Sequence, residues 1–242
     1  MPKFFFETEN FDGNYISLKG ETAHHIVNVL RYSAGDTVLL CDGKNTDYIT
    51  KLVYTDEKII TAKFEVLETK KSLAEPPVFI RLYQSVIKWE NFDFAIQKSV
   101  EVGASEIVPT VTKRSIYKIT DVKKKTERFN RIAKSAAEQS LRGIIPRVTE
   151  PMDYNDTLNK TPAGFYACCK EKSNLTCAKK GFIMPQTHAS IWIGPEGGFT
   201  DEERESFKSN DIIPFSLGPR TLRSETASIV SIVNLLMIWG GF

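Results

Sequence analysis

The sequence has few cysteines, no long apolar run and almost no net charge. Its 242 residues contain four cysteines and no Cys-x-x-Cys pair, which argues against a disulfide scaffold and a zinc site. The longest apolar run, 229–239, is too short to span a bilayer, and Met1–Glu7 lacks the apolar stretch of a signal peptide. With 41% hydrophobic and 26% charged residues, the composition is that of a globular protein. We therefore expect a cytoplasmic protein with reduced thiols, no membrane segment and no metal.

The near-neutral total of +2 conceals one strongly basic segment. Residues 111–147 contain eleven Lys and Arg against three Asp and Glu, a charge of +8, so the rest of the chain carries −6. Within it, Phe129, Ile132 and Ala133 fall on one stripe of a predicted helix whose opposite stripe presents arginines. Such a surface fits RNA phosphates, although a solvated helix face without a ligand accounts for the helix alone. The residues that we assign to RNA contact are Arg114, Lys124, Arg128, Arg131 and Arg142.

Residues 1–70 predict a small β-domain. Short apolar and β-branched runs alternate with turns such as Asp42–Asn45, and one helix candidate, Thr22–Arg31, interrupts them. Five strands in this length predict a barrel or sandwich, whose charge of −3 is not that of a basic domain. The five predicted strands are Phe4–Phe6, Tyr15–Leu18, Thr37–Leu40, Tyr48–Val53 and Ile59–Leu67.

The pattern changes after residues 71–77, a polar stretch that ends in two prolines and predicts a linker. From 78 to 242, strand and helix candidates alternate, which predicts an α/β domain with a mostly parallel sheet. A helix is expected over Asn91–Val102, with Asn91 or Asp93 as its N-cap. Strands are predicted at Val78–Ile87, Ile107–Pro109, Phe165–Cys169, Ser190–Ile193 and Phe215–Leu217.

A glycine loop after one of these strands predicts a ligand site. It runs from Gly194 to Thr200, and Thr200 with Glu203 predicts the capping box of a following helix. Ligands of open α/β sheets bind beyond the carboxyl ends of strands. Glu196 and the acidic residues 201–203 crowd the place of an anion, and the loop has no lysine, so we expect a neutral or cationic ligand rather than phosphate. A tight turn that only caps the helix is the alternative.

A second loop, Gly218–Ala227, brings Arg220, Arg223 and Glu225 together beside a glycine turn. The helix after it, Glu225–Trp239, is apolar nearly all round and is therefore expected to be buried on more than one side. Chain termini normally fray, so this helix needs further cover. We take a homodimer as the source of that cover.

These motifs resemble the RsmE family of bacterial 16S ribosomal RNA methyltransferases, which modify N3 of a uridine. Ile193–Phe199 and Leu217–Ala227 look like the two signature loops of that family, with Thr221 and Ser224 as mild departures. The resemblance extends to Gln97–Ala104 with Ile107–Pro109, to Ala137–Arg142 with Ile145–Pro146, and to His25–Arg31 with Gly35–Asp36.

The resemblance implies a PUA-like β-barrel domain, then a SPOUT α/β methyltransferase domain with a deep trefoil knot. It also implies a homodimer that uses S-adenosylmethionine as methyl donor and 16S ribosomal RNA, free or in the assembled small subunit, as substrate. Arg220 and Arg223 are candidates to stabilise charge on the uracil carbonyls and Glu225 to accept a proton or orient an arginine; an Arg223–Glu225 ion pair at the helix start is the alternative. The donor contacts implied are Gly194, Glu196, Gly197, Gly198, Leu217, Gly218 and Leu222.

Three other functions stay open at this point. A non-catalytic RNA-binding protein is expected to lack a donor pocket. A nucleotide-dependent enzyme would use the glycine loop for ATP, against which the missing lysine and the surplus of carboxylates count. A related knotted enzyme that methylates a ribose 2′-OH or another base shares the donor chemistry, so only the product separates it.

Overall fold

A computed structural model of the chain describes residues 1–56, 60–117, 120–159, 164–168 and 187–239. The chain divides into two compact units. Unit 1 comprises Met1–Glu75 with Ala137–Ile145, and unit 2 comprises Pro76–Ala136 with Pro146–Phe242. Within the described ranges, no helix combines the length and apolar character needed to cross a membrane, and no three potential metal ligands cluster. The parts of the sequence predictions that fall on Ile59, Lys118, Cys169 and Cys177 lie outside the described residues.

Unit 1 is built on one five-stranded sheet. The strands are β1 (Lys3–Phe5), β2 (Tyr15–Lys19), β3 (Thr37–Cys41), β4 (Thr46–Asp56) and β5 (Thr61–Lys71). Their order is β1-β3-β4-β5-β2, with β1 parallel to β3 and the other neighbours antiparallel. The predicted helix is present as α1 (Gly20–His24), which continues into a π-helical turn, His25–Val29. The predicted N-terminal β-domain is confirmed.

A buried lysine holds the second part of unit 1, Ala137–Ile145, to the sheet. The Lys3 ammonium is 2% exposed and donates to an Asp47 carboxylate oxygen at 3.0 Å. It also donates to the Ser72 hydroxyl at 3.1 Å and to the Leu141 carbonyl at 2.6 Å. A buried charge persists only with such a set of partners, so the ammonium ties together three segments that are distant in sequence.

Arg142 belongs to the same interior, and its assignment to RNA contact is wrong. The basic helix ends at Gln139, and Leu141 adopts a φ of +60°, so the chain turns before it reaches Arg142. The guanidinium is 2% exposed and makes a two-pronged ion pair with Glu75, with Nε–Oε1 at 3.2 Å and Nη2–Oε2 at 2.7 Å. Glu75 lies in the stretch predicted as a linker. Arg142 therefore stabilises unit 1.

Unit 2 contains a sheet of seven parallel strands, which confirms the predicted α/β class. Along the main path the order is β12-β10-β11-β6-β7-β8, and β9 also pairs with β7. The strand predicted at Phe215–Leu217 lies earlier in the chain than expected, because it ends at Phe215. The strands are β6 (Phe79–Ser85), β7 (Glu106–Val111), β8 (Arg147–Val148), β9 (Met152–Asp153), β10 (Gly164–Ala167), β11 (His188–Ile193) and β12 (Ile212–Phe215).

Five helices of unit 2 are described: α2 (Trp89–Glu101), α3 (Val122–Gln139, whose last turn is grouped with unit 1), α4 (Tyr154–Asn159), α5 (Asp201–Ser209) and α6 (Ser224–Trp239). The caps predicted for α2 are wrong, because Lys88 is the N-cap and makes no side-chain cap. The helix forms on its apolar stripe of Phe92, Ala95, Ile96 and Val100, which it buries. The terminal helix α6 packs against α2 and the strands β6 and β11.

Candidate active site

Two loops leave the carboxyl edge of the parallel sheet and line a cavity of about 590 Å³. Loop 1 is Gly194–Thr200, after β11, and loop 2 is Leu217–Arg223, after β12. Strands β12, β10 and β11 are parallel neighbours, so both loops emerge at one edge, with Ala167 and Cys168 at the end of β10 between them. The volume is that of a small-molecule site.

The structure brings all predicted donor contacts and catalytic candidates to this one cavity. Asn91 of α2 and Arg114, which follows β7, also line it. The predicted residues found there are Gly194, Glu196, Gly197, Gly198, Leu217, Gly218, Leu222, Arg220, Arg223 and Glu225.

Loop 1 is compact because its glycines allow close backbone approach. A Cβ at Gly194 would stand 3.3 Å from the Phe199 ring, and Gly198 has a φ of +66°, a value that disfavours other residues. The capping box is confirmed: the Thr200 hydroxyl accepts from the Glu203 amide at 3.2 Å, and the Glu203 carboxylate accepts from the Thr200 amide at 2.8 Å. The start of α5 therefore fixes the end of the loop.

The expected crowding of four carboxylates at loop 1 is wrong in part. Glu203 is buried, and its carboxylate also accepts from the Lys113 amide at 2.9 Å. Glu202 does not line the cavity but lies on the exposed surface. There, a hydrogen bond with the Thr200 side chain lowers the pKa of the Glu202 carboxyl. The two acidic residues of this group that line the cavity are Glu196 and Asp201.

The cavity lining has mixed charge, with four arginines and three carboxylates. Arg204 is ion-paired with Asp201. In contrast, the side chains of Arg220, Arg223 and Glu225 make no hydrogen bond or ion pair with any described residue, so the alternative of an Arg223–Glu225 ion pair is not observed. Glu225 is only 8% exposed and stands in the first turn of α6. Because Glu225 lines the cavity, its carboxylate is available to a ligand there.

Two predicted residues have contacts that the sequence did not reveal. The Arg114 guanidinium donates to the Gly197 carbonyl at 2.7 Å, and therefore holds loop 1. Glu196 accepts from the backbone amide of Lys88 at 3.3 Å, which joins the same loop to the start of α2. Contact of Arg114 with RNA and of Glu196 with a donor both stay predictions.

A series of hydrogen-bonded side chains joins loop 1 to helix α6. Its central residue, Gln84, was not among the site residues predicted from the sequence. The Ser224 hydroxyl donates to the Gly194 carbonyl at 2.7 Å and accepts from Gln84 Nε2 at 2.9 Å. Gln84, at the end of β6, is fully buried, and its Oε1 accepts from the Ser228 hydroxyl. A glutamine among the buried residues at the end of a central strand is the signal that would have drawn attention to it.

Helix α3 presents exposed cations, but fewer than predicted. Lys124 and Arg131 are exposed, and among the residues that the structure covers their side chains have no ion-pair partner. Arg128 is paired with Asp93 of α2. Burial raises the pKa of the Asp93 carboxyl, against the attraction of Arg128 and Lys125. The cations of α3 that are available for phosphate therefore include Lys124 and Arg131.

Comparison with known proteins gives consistent matches. The chain matches an RNA methyltransferase domain over residues 74–236 and an RNA methyltransferase PUA domain over residues 18–65. It is 33% identical to ribosomal RNA small subunit methyltransferase E of Mesomycoplasma hyopneumoniae (93% of this chain, 95% of that protein) and 32% to that of Aquifex aeolicus (96% and 98%). A crystal structure of the Neisseria gonorrhoeae enzyme of the same name, bound to S-adenosyl methionine, superposes with a TM-score of 0.87 at 29% identity, covering 99% of this chain and 98% of that one.

Proposed function

Because the chain belongs to the ribosomal RNA small subunit methyltransferase E family, we propose that it transfers a methyl group from S-adenosylmethionine to N3 of a uridine in 16S ribosomal RNA. One observation carries the proposal. Both glycine loops line a single cavity of about 590 Å³, and Arg220, Arg223 and Glu225 line it with them. The related enzyme from Neisseria gonorrhoeae binds S-adenosyl methionine, which supports the same donor here.

The residues of the cavity fit such a donor. S-adenosylmethionine carries a sulfonium cation, an adenine ring and no phosphate. Leu217 and Leu222 offer apolar contact to the ring, and the backbone of loops 1 and 2 offers hydrogen bonds to its edge. The unpaired carboxylate of Glu225 suits a cationic ligand. When bound, the donor supplies an electrophilic methyl group.

The remaining chemistry concerns the acceptor base. N3 of uracil lies on the pairing edge and carries a proton, so the base must be unpaired and its proton removed. As the proton leaves, negative charge develops on the two carbonyl oxygens. Arg220 and Arg223 are exposed, have no ion-pair partner among the residues that the structure describes, and are able to donate to those oxygens. We assign proton acceptance to Glu225, whose carboxylate is not paired with an arginine in the described part of the chain.

The exposed cations of α3 are proposed to hold the RNA backbone. Lys124 and Arg131 carry this role, with Arg128 in part because Asp93 already pairs with it. Contacts to phosphate release counterions, so the affinity for RNA should fall steeply as salt rises.

Three further expectations belong to the same proposal: a homodimer, a knot in unit 2, and a place of action in the cytoplasm, where ribosomal RNA is modified. For the dimer, the packed helices α2 and α6 each expose a large apolar side chain, Phe94 at 45% and Met237 at 68%. The SPOUT resemblance supports the knot. Sedimentation measurements test the dimer.

The test is to incubate the protein with labelled donor and either 16S RNA or small subunits, and to analyse the nucleosides by mass spectrometry. The proposal predicts 3-methyluridine. A ribose-methylated nucleoside or another methylated base would instead identify a related knotted enzyme. Calorimetry with S-adenosylmethionine and with ATP distinguishes the enzyme from a non-catalytic RNA-binding protein, which binds neither, and from a nucleotide-dependent enzyme, which binds ATP more tightly.

A further inference from the structure

Beside the cavity lies a group of aromatic residues that the proposed chemistry does not use. Trp89 is the first residue of α2. Its neighbour Lys88 is joined to Glu196 of loop 1, and Asn91, two residues later, lines the cavity. Trp89 therefore stands where α2 borders the cavity.

Trp89 forms a platform with Tyr117 and Lys125. On its inner side the indole contacts the buried rings of Phe92 and Phe129, at centroid distances of 6.2 and 6.3 Å. The Tyr117 ring lies 6.5 Å from the indole at an interplanar angle of 64°, and both rings are half-buried. The Lys125 ammonium lies 4.0 Å from the centroid of the indole ring. Among the described residues, the indole is thus supported by two buried rings, while the flexible Lys125 side chain places its ammonium over the ring.

Several cations border the platform. Lys124 is exposed next to Lys125, Arg114 lies at the cavity, and Arg128, one turn further along α3, is paired with Asp93. Aromatic rings interleaved with cations are typical of surfaces that bind single-stranded nucleic acid, where bases stack and phosphates are neutralised. The charge of the platform therefore suits a polyanion with planar apolar groups.

We propose that the Trp89–Tyr117–Lys125 platform stacks an unpaired RNA base adjacent to the nucleotide that enters the cavity. The inference rests on the proposed function and adds a contact site for a flanking nucleotide. A cation over an aromatic ring contributes about two- to fivefold to an equilibrium at an exposed site, and more where the pair is partly buried, as it is here. A stacked base contributes about 5- to 150-fold, so the base displaces the Lys125 ammonium, which then turns to a neighbouring phosphate.

The test compares Trp89→Leu, which keeps apolar cover over Phe92 and Phe129 but has no aromatic face, with Trp89→Phe, which keeps one. The probes are an oligouridine and an abasic oligonucleotide of the same length and charge. We expect the wild-type protein to prefer the oligouridine, Trp89→Leu to lose that preference with affinity lowered about tenfold, and Trp89→Phe to retain most of it. For methylation, the KM for RNA should rise in Trp89→Leu while the dissociation constant for the donor does not change.

Several results decide against the platform. Oligouridine preference that is unchanged in Trp89→Leu overturns it, as does an equal loss for both probes, which would indicate a structural effect. If Trp89→Leu does not fold, Tyr117→Leu leaves the inner contacts of the indole in place and carries the same comparison. Failure of the proposed function is a separate result, because then the wild-type protein forms no methylated nucleoside whatever its binding to the oligonucleotides.

Discussion

At the scale of single residues, Ser224 is the side chain that connects the two loops of the site. Its hydroxyl satisfies both the Gly194 carbonyl and the Gln84 amide, and all three groups lie in the interior or at the cavity. The neighbouring Ser231 is buried too, but its hydroxyl only donates to the Ala227 carbonyl of its own helix, at 2.6 Å. Ser231 is therefore a control for Ser224, because both are buried serines of α6 and the hydrogen bond of Ser224 reaches loop 1.

We predict that Ser224→Ala weakens donor binding about tenfold, because the Gly194 carbonyl and one N–H of the Gln84 amide lose their partner, at a cost of ~1–3 kcal/mol. Ser224→Thr retains the hydroxyl and should restore binding. Ser231→Ala should leave binding unchanged. Titration calorimetry with S-adenosylmethionine measures all three, and equal affinities for Ser224→Ala and Ser231→Ala would show that the hydroxyl does not position loop 1.

Two cysteines give a second residue-scale prediction. Burial raises the pKa of the Cys41 thiol to about 12, so at pH 8 it has almost no reactive thiolate. Cys168 is half-buried and lines the cavity. Iodoacetamide at pH 8 should modify Cys168 and not Cys41, and the donor should slow the reaction of Cys168, as peptide mapping can measure. Rapid modification of Cys41, or a Cys168 rate that the donor does not change, would contradict this.

The raised pKa of Cys41 also sets the sign of a stability effect. The folded protein favours the neutral thiol more than the unfolded chain does. The contribution of Cys41 to the free energy of unfolding is therefore complete below the ordinary thiol pKa of ~8.5. It is lost as the pH rises from there towards 12.

Among single residues, those of the two loops were the predictable part. Within each loop the site residues lie within a few positions of one another, so local motifs reveal them. Gln84 comes from a strand 140 positions before Ser224, and nothing local links the two residues. The burial of Arg142 is likewise a property of tertiary structure.

At the scale of elements, helix α3 shows where a pattern misleads. Its basic stripe extends in sequence to Arg142, but the helix ends at Gln139 and the chain then turns. The start of α5 was predictable because a capping box is a local device of four residues. The start of α2 was not, because Lys88 provides no side-chain cap.

The structure separates two arginines that share the predicted stripe. Arg142→Ala should lower the free energy of unfolding by ~3–5 kcal/mol, because Glu75 loses its buried partner. Arg131→Ala should leave stability unchanged and weaken RNA binding with a shallower dependence on salt. Chemical denaturation and filter binding at several salt concentrations test the pair. A stable Arg142→Ala protein with weakened RNA binding would instead indicate that Arg142 contacts RNA.

At the scale of the whole molecule, the sequence predicts the fold class of both domains correctly, but it does not predict all the residues that belong to the first. The composition changes after residue 70, and the two units divide between Glu75 and Pro76, inside the stretch predicted as a linker. However, unit 1 also takes Ala137–Ile145, more than sixty residues further along the chain. This segment supplies the Leu141 carbonyl to Lys3 and the guanidinium of Arg142 to Glu75. No sequence pattern signals such a return.

A fragment of residues 1–78 should therefore lack a cooperative thermal transition, since the Lys3 ammonium and the Glu75 carboxylate lose partners. Joining residues 136–146 to it through a glycine–serine spacer should restore the transition. Circular dichroism follows both. A sharp transition in the short fragment would mean that the added segment is not needed for folding.

The claim on which the function depends is that loops 1 and 2 together bind the methyl donor. The most direct measurement is a crystal structure of the protein grown with S-adenosylmethionine. We predict that the adenine lies between the two loops beside Leu217 and Leu222, with the methyl group directed towards Arg220, Arg223 and Glu225. A donor bound elsewhere, or a cavity closed by the protein's own side chains, would contradict the claim.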